Sequence, residues 1–213
     1  MPQTFGNGVS SNPMFGRWST GIFKSPVAGP VWAAKLNLHG DGQADLSVHG
    51  GPDKAVYAYP ASHYPDWRQE LDIADFPFGA FGENFTVEGA NESQVCIGDL
   101  HQIGDAFLEV AQPRQPCWKL ARKWNRPDLP ARLVRSGRSG WYYRVLREGN
   151  LQAGDQIQVL ENPFPQWTVL RANELAYHPN VNVAEAALLA DCPALAPEWR
   201  NGILYRLGRR AEW

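Results

Sequence analysis

Apolar residues change their rhythm along this 213-residue chain. Between residues 17 and 60 they come in short runs, WSTGIF and then VWAAKLNL, rich in β-branched, aromatic or aliphatic side chains and broken by glycine turns. Such runs predict short strands. GDGQADLSVHGGPDK follows as a long polar, glycine-rich loop, and AVYAY resumes as a strand that stops at Pro60. In ASHYPDWRQELD the period lengthens. Tyr64, Trp67 and Leu71 recur at i, i+3 and i+7, which predicts a short helix. GENFTVEG and DLHQIGDAFLEVAQ return to strand, the second folding back at Gly104-Asp105 as a hairpin. There Ala106, Leu108 and Val110 alternate with Phe107, Glu109 and Ala111, giving one consistently apolar side. LPARLVRSG reads as a helix with Gly137 in the C-cap position, and WYYRVL and DQIQVLE read as strands.

Another rhythm starts at NPFPQW, residues 162–167. Helical spacing takes over and β-branched residues become few. Asn182 and Glu185 have the spacing of a capping box. Pro197 suits the first position of a last helix, with Trp199, Ile203 and Leu207 on one face. Residues 1–163 are therefore expected to be mainly β, with a few short helices. A closed or partly closed barrel is the economical way to bury many short strands without exposed edges. Residues 164–213 are expected to form a small three-helix appendage, packed on the barrel or on a second copy as a homodimer contact.

Composition narrows the class. With 44% hydrophobic and 20% charged residues, the chain should be globular and ordered. A formal net charge of -2 argues against a general nucleic-acid or anionic-membrane binder. No run approaches the ~20 apolar residues of a membrane helix, and the start of the chain lacks the basic and apolar regions of a signal peptide. Cys96, Cys117 and Cys192 are an odd set without CxxC spacing. A disulfide framework is not expected and a cytoplasmic setting is. Three thiols also cannot supply the four of a typical iron–sulfur cluster.

The candidate chemistry centres on AQPRQPCWKLA, residues 111–121. Pro113 and Pro116 bar regular ladder or helix geometry around them, so Cys117 should sit on a stiff loop at a strand end, where functional groups are often presented. Arg114 and Lys119, if near in space, favour thiolate over thiol. The alternative is a small buried hydrophobe, the reading that fits Cys96 and Cys192. In VHGGPDKAVYAY, Gly50 and Gly51 could offer backbone N–H groups to an anion, with His49 as hydrogen-bond donor or proton carrier; a plain tight turn explains the same residues. In FGENFTVEG, Glu83 and Asn84 could orient backbone or ligand. Lys24 in GIFKSPV is a possible anion contact or a solvated lysine. Arg138 and Ser139 in SGRSGWYY could hold a phosphate or simply follow a helix stop. No GxGxxG, GxxxxGK[ST], HExxH or GxSxG motif occurs. A Cys/His thiol enzyme built from Cys117 and His49 is conceivable, without a visible orienting group.

Taken in order, GIFKSPV, LNLHGDGQADLSVHGGPDKAVYAYP, FGENFTVEG, IGD, LEVAQPRQPCWKL, SGRSGWYYRVL and GD resemble the MOSC domain, and the subgroup with a three-helix C-terminal appendage, the YiiM-like proteins, is the most similar. The resemblance implies a β-barrel that binds the molybdenum cofactor, a pterin dithiolene carrying an oxo-molybdenum centre. It makes Cys117 the protein ligand to molybdenum, a soft donor for a metal already held by sulfurs. Lys24, Arg114 and Arg138 become contacts to the pterin phosphate, and His49 the candidate for proton delivery. Characterised relatives reduce N-hydroxylated compounds, namely hydroxylamines, amidoximes and N-hydroxylated nucleobases such as 6-hydroxylaminopurine, which implies an oxidoreductase. The chain shows no flavin, nicotinamide or iron–sulfur signature, so electrons are expected from a separate flavin or iron–sulfur reductase. Eukaryotic members carry an additional N-terminal barrel region that residues 1–16 are too short to supply, so their substrates and partners do not transfer. Two other readings stand beside this one: a cofactor or sulfur carrier without turnover, and a metal-free thiol enzyme.

Overall fold

The computed structural model describes residues 1–6, 10, 12, 14–178 and 180–211. In chain order its elements are β1 (Gln3–Phe5), β2 (Trp18–Thr20), β3 (Val31–Ala33), α1 (Leu46–His49), β4 (Val56–Pro60), α2 (Tyr64–Leu71), β5 (Phe85–Val87), β6 (Leu100–Ile103), β7 (Ala106–Pro113), α3 (Trp118–Trp124), α4 (Leu129–Ser136), β8 (Trp141–Arg147), β9 (Gly149–Leu151), β10 (Ile157–Glu161), α5 (Val169–Tyr177), α6 (Val183–Ala190) and α7 (Pro197–Ala211). A 3-10 turn, Pro52–Lys54, separates α1 from β4.

Six strands form one curled sheet in the order β10-β6-β7-β8-β4-β5. Every neighbouring pair is antiparallel except β4–β5. The β7–β8 ladder shifts register at Phe107/Leu108 and again at Val110/Gln112, and β10–β6 shifts at Val159/Glu161. Each shift bends its strand and adds twist, so the sheet curls into a half-barrel. Among the described residues, β1 pairs with β2 and β3 with β9 in two small antiparallel sheets.

The sheet divides two cores, and β4 shows how. All five of its residues are buried. Side chains alternate across a strand, so Val56 and Ala58 enter one cluster while Tyr57 and Tyr59 enter the other. The first cluster takes Ala106, Leu108 and Val110 of β7, the apolar side expected from their alternation, with Trp141, Tyr143 and Val145 of β8. It also takes Val169 and Leu175 of α5, Leu189 of α6, and Trp199 and Ile203 of α7, with Leu207 partly buried against it. The C-terminal helices thus pack on the sheet itself. The second cluster is aromatic: Tyr57, Tyr59, Tyr64, Trp67, Phe76 and Phe81 meet Leu120 of α3 and Leu129 and Leu133 of α4. Burying each large ring contributes about 1.5–3 kcal/mol, and this cluster fixes both α3 and the 76–84 loop beside it.

The hairpin at Gly104-Asp105 joins β6 to β7, Gly137 ends α4 with φ 71°, the Asn182 side chain accepts from Glu185 N–H at the start of α6, and Pro197 begins α7. Two segments differ from expectation. The polar stretch read as a loop contains α1, because Asp45 accepts from the Ser47 N–H and hydroxyl and starts a turn. The segment after Cys117 winds at once into α3, which stops at Asn125 in the left-handed region (φ 50°). Among the described residues, no helix is long and apolar enough to cross a membrane.

Candidate functional site

Cys117 is the N-cap residue of α3, with extended backbone (φ −113°, ψ 166°). It leaves the end of β7 through Arg114–Pro116, and the Arg114 N–H donates to the Gly140 carbonyl (3.1 Å), tying this segment to the entry of β8. Opposite it, α1 ends at His49. Between them lies a cleft with about 640 Å³ of empty space, part of it continuous with solvent. Its walls include Lys24, Asp41, His49, Lys54, Tyr57, Asn84, Arg114, Cys117, Lys119 and Tyr142. Gly21 and Gly42 close one wall by direct backbone approach; a Cβ at Gly21 would collide with the Gly42 carbonyl.

The thiol is set toward thiolate. Burial alone would push Cys117 up, but a hydrogen bond from His49, the charges of Arg114 and His49 and the Lys119 backbone N–H together bring it down to about 7. The other two thiols go the opposite way, since burial pushes both Cys96 and Cys192 up. Arg114 is only 5% exposed. Its Nη2 donates to the Phe81 carbonyl (3.3 Å) and its guanidinium lies 5.1 Å from the centre of the Tyr57 ring. Its Nη1 is buried without a hydrogen-bond partner. Leaving such a donor unmet costs roughly 1–3 kcal/mol, which an anion in the cleft would recover.

The remaining expected residues separate. Lys24 reaches the cleft, but its Nζ donates to both carboxylate oxygens of Asp41 at 2.6 Å. Asp41 also accepts from Asn84 Nδ2 (2.7 Å). Burial would raise the Asp41 carboxyl; Lys24 and Asn84 outweigh it and hold the carboxyl below its usual range. Asn84 Oδ1 in turn accepts from the Tyr57 N–H (2.9 Å). Glu83 turns inward and accepts from Gly79 N–H (2.7 Å), Phe81 N–H (3.1 Å), Thr86 Oγ1 (3.3 Å) and the Tyr64 hydroxyl.

Arg138 and Ser139 are not among the cleft's lining residues. Arg138 lies over the Trp67 ring (3.9 Å) and pairs with Glu70 of α2 (2.6 Å). Ser139 is buried, with its hydroxyl donating to the Gly140 carbonyl (2.8 Å). Gly50 and Gly51 are outside the lining as well. Gly51 has φ 95°, a turn conformation that side chains resist, and this turn delivers His49 to the cleft. Reading the sequence missed Asp41, Tyr142 and the role of Lys54. An aspartate between two glycines in HGDG was the available signal for the first. Tyr142 had none, because it depends on which face of β8 turns inward.

Among the described residues, no group of three or more His, Cys, Asp or Glu side chains could hold a metal ion. A metal bound at Cys117 would have to bring most of its ligands with it.

Comparison with known proteins is consistent along the chain. The model of the MOSC domain matches residues 45–158, and that of the YiiM-like, 3-alpha helix domain matches residues 167–207. YflK of Bacillus subtilis (strain 168) is 40% identical over 190 residues, covering 89% of this chain and 86% of that protein. A protein named Reductase from Gibberella moniliformis is 39% identical over 192 residues, 88% of this chain; the match spans 33% of that protein's length. The crystal structure of YiiM from Geobacillus stearothermophilus aligns with a TM-score of 0.78 at 38% identity, covering 90% of each chain.

Proposed function

The chain belongs to the MOSC-domain family, and from that premise we propose that its cleft holds the molybdenum cofactor and that the protein reduces N-hydroxylated compounds with it. One observation carries this reading: a thiol held toward thiolate stands in the same cleft as a buried guanidinium with an unmet donor. That donor set fits a group that is both metal-bearing and anionic. Cys117 would be the protein ligand to the metal, as a soft donor beside the cofactor's own sulfurs. Arg114 would hold an anionic part of the cofactor through Nη1, with Lys119 as a second cation on the wall. When bound, the cofactor supplies the two-electron chemistry that removes an oxygen atom from substrate. The chain supplies the rest. Gly21 and Gly42 close one wall of the cleft, Asn84 and Asp41 hold Lys24 there, and His49 would offer a ring nitrogen for proton movement. Three unpaired cysteines fit a cytosolic setting, and a separate flavin or iron–sulfur reductase is the proposed electron source. The relative named Reductase favours turnover over mere carriage of the cofactor.

The test is molybdenum per chain by elemental analysis, for wild type and Cys117→Ser made in a host that produces the cofactor. Near-stoichiometric metal in wild type, with metal lost or spectroscopically altered in the variant, is the expected result. It should be followed by turnover of N-hydroxylated substrates with an artificial electron donor. No metal in folded wild type overturns the proposal. Metal without turnover leaves a carrier. A second reading, a metal-free thiol enzyme, is favoured by the placing of Cys117 and His49 in one cleft and predicts activity in protein stripped of molybdenum.

A further inference from the structure

The helix that carries His49 is held almost entirely by polar contacts. None of the four residues of α1 is buried, and Leu46 and Val48 stand 72% and 49% exposed. The apolar burial that seats most helices is missing. Asp45 caps the first turn through Ser47. At the other end, Lys54 Nζ donates to the Val48 carbonyl at 2.7 Å. The Lys54 side chain is only 10% exposed, and its other partner is Glu198, in the first turn of α7. Glu198 stands on a fixed base. The Ala196 N–H donates to the Ala111 carbonyl of β7 (3.0 Å), and the neighbouring Trp199 is buried in the core shared by sheet and helices. Contacts therefore run without a break from that core, through Glu198 and Lys54, to the carbonyl next to His49.

We propose that Glu198 and Lys54 are positioning residues for His49, so that the C-terminal helical region holds the imidazole in the cleft that Cys117 lines. The inference concerns the placement of His49 and stands whether or not the cleft takes molybdenum. An ammonium that loses one of its two acceptors must rehydrate or move. Either response loosens its grip on the Val48 carbonyl, and a helix without a buried side chain then opens locally. Asp53 does not replace this link. Its bond to Arg144 Nε (2.6 Å) secures the 3-10 turn, on the far side of Gly51 from α1.

The test uses metal-free, full-length protein with two readouts: amide hydrogen exchange over residues 45–51, and the NMR signals of the His49 ring. Lys54→Met and Glu198→Ala should each speed exchange in that segment by about fivefold or more and shift the His49 signals, with β7 and the core residues of α7 unchanged. Glu198→Asp keeps the charge but withdraws it by one methylene; it should loosen the segment too, which assigns the effect to contact. Lys54→Arg retains donors for both partners and should stay near wild type. Glu185→Gln breaks a comparable pair with Arg171 between α5 and α6 and should leave residues 45–51 alone. Wild-type exchange and His49 signals in folded Lys54→Met and Glu198→Ala would overturn the proposal, as would equal loosening in Glu185→Gln.

Discussion

Glu83 and Arg114 are two buried charges that hold the same residue from opposite sides. Glu83 accepts the Phe81 N–H, and Arg114 donates to the Phe81 carbonyl. Around Glu83 everything is answered: backbone N–H groups of Gly79 and Phe81 and hydroxyls of Tyr64 and Thr86 converge on it. Around Arg114 one nitrogen has no acceptor. Folded interiors rarely leave such groups unmet. The satisfied charge folds a loop; the unsatisfied one is prepared for something that arrives. The cysteines repeat the contrast, since burial pushes Cys96 and Cys192 up while the cleft brings Cys117 down to about 7.

The largest effects should come from exchanging the fates of those two charges. Glu83→Gln replaces a carboxylate that only accepts with an amide that must also donate, among groups that all donate. We expect a loss of about 3 kcal/mol, a fall in Tm of roughly 6–12 °C for a chain of this size, and unchanged cofactor content per folded molecule. Arg114→Met should do the reverse. Losing a charge-assisted contact to an anion is worth roughly 10–100-fold in cofactor retention, while the Tm of metal-free protein should fall by less than in Glu83→Gln, because the Arg114 guanidinium donates to the Phe81 carbonyl, where Glu83 accepts four hydrogen bonds. Differential scanning calorimetry beside elemental analysis reads both. If the two variants lose stability and cofactor in step, the division between folding charge and binding charge fails.

The thiols sharpen the same contrast. In metal-free protein near pH 7 Cys117 should be about half thiolate, so iodoacetamide should label it at least tenfold faster than Cys96 or Cys192, as read by peptide mass spectrometry. Equal labelling would show that the cleft does not activate its cysteine. Stability should follow in a defined direction. The folded Cys117 thiol lies below its unfolded value of 9.0, so above about pH 7 the native state releases a proton that the unfolded chain still holds. Its contribution is therefore fully present above pH 9 and is lost as pH falls through 7. The stability of metal-free wild type relative to Cys117→Ser should grow by about 1–2 kcal/mol between pH 7 and 9; denaturant melts at the two pH values measure it.

How much of this could be read from the chain follows the range of the interactions involved. Local rules were enough for the 104–105 hairpin, the Gly137 cap, the Asn182 cap and Pro197 at the start of α7, because each depends on residues within one turn. The prolines and cations around Cys117 suggested an activated thiol from its own segment, yet Arg114 comes second to His49, far away in sequence, among the groups that lower it. What stayed hidden depends on partners far away in sequence. Arg138 looked like a phosphate contact between its glycines, but Glu70 and Trp67 on α2 had already claimed it. Lys54 looked like part of a ligand loop, and its partner sits 144 residues further on. α1 was missed because its four residues bury nothing and so leave no periodic apolar signal.

The smallest effect tests the partnership least visible in the sequence, that of Lys24 with Asp41. Lys24 was expected to meet an anion directly, yet both of its short contacts go to one carboxylate. On that geometry Lys24 mainly cancels a negative charge at the cleft wall. Lys24→Met should then expose Asp41 to the incoming anion and weaken cofactor retention about threefold, a coupling of roughly 0.5–1 kcal/mol. Lys24→Met combined with Asp41→Asn should recover most of it, because repulsion and attraction disappear together. A lysine that binds the anion itself gives the opposite pattern, with the double variant at least as weak as the single. The double-mutant cycle separates the two roles by sign, and retention in wild type, both single variants and the double is enough to close it.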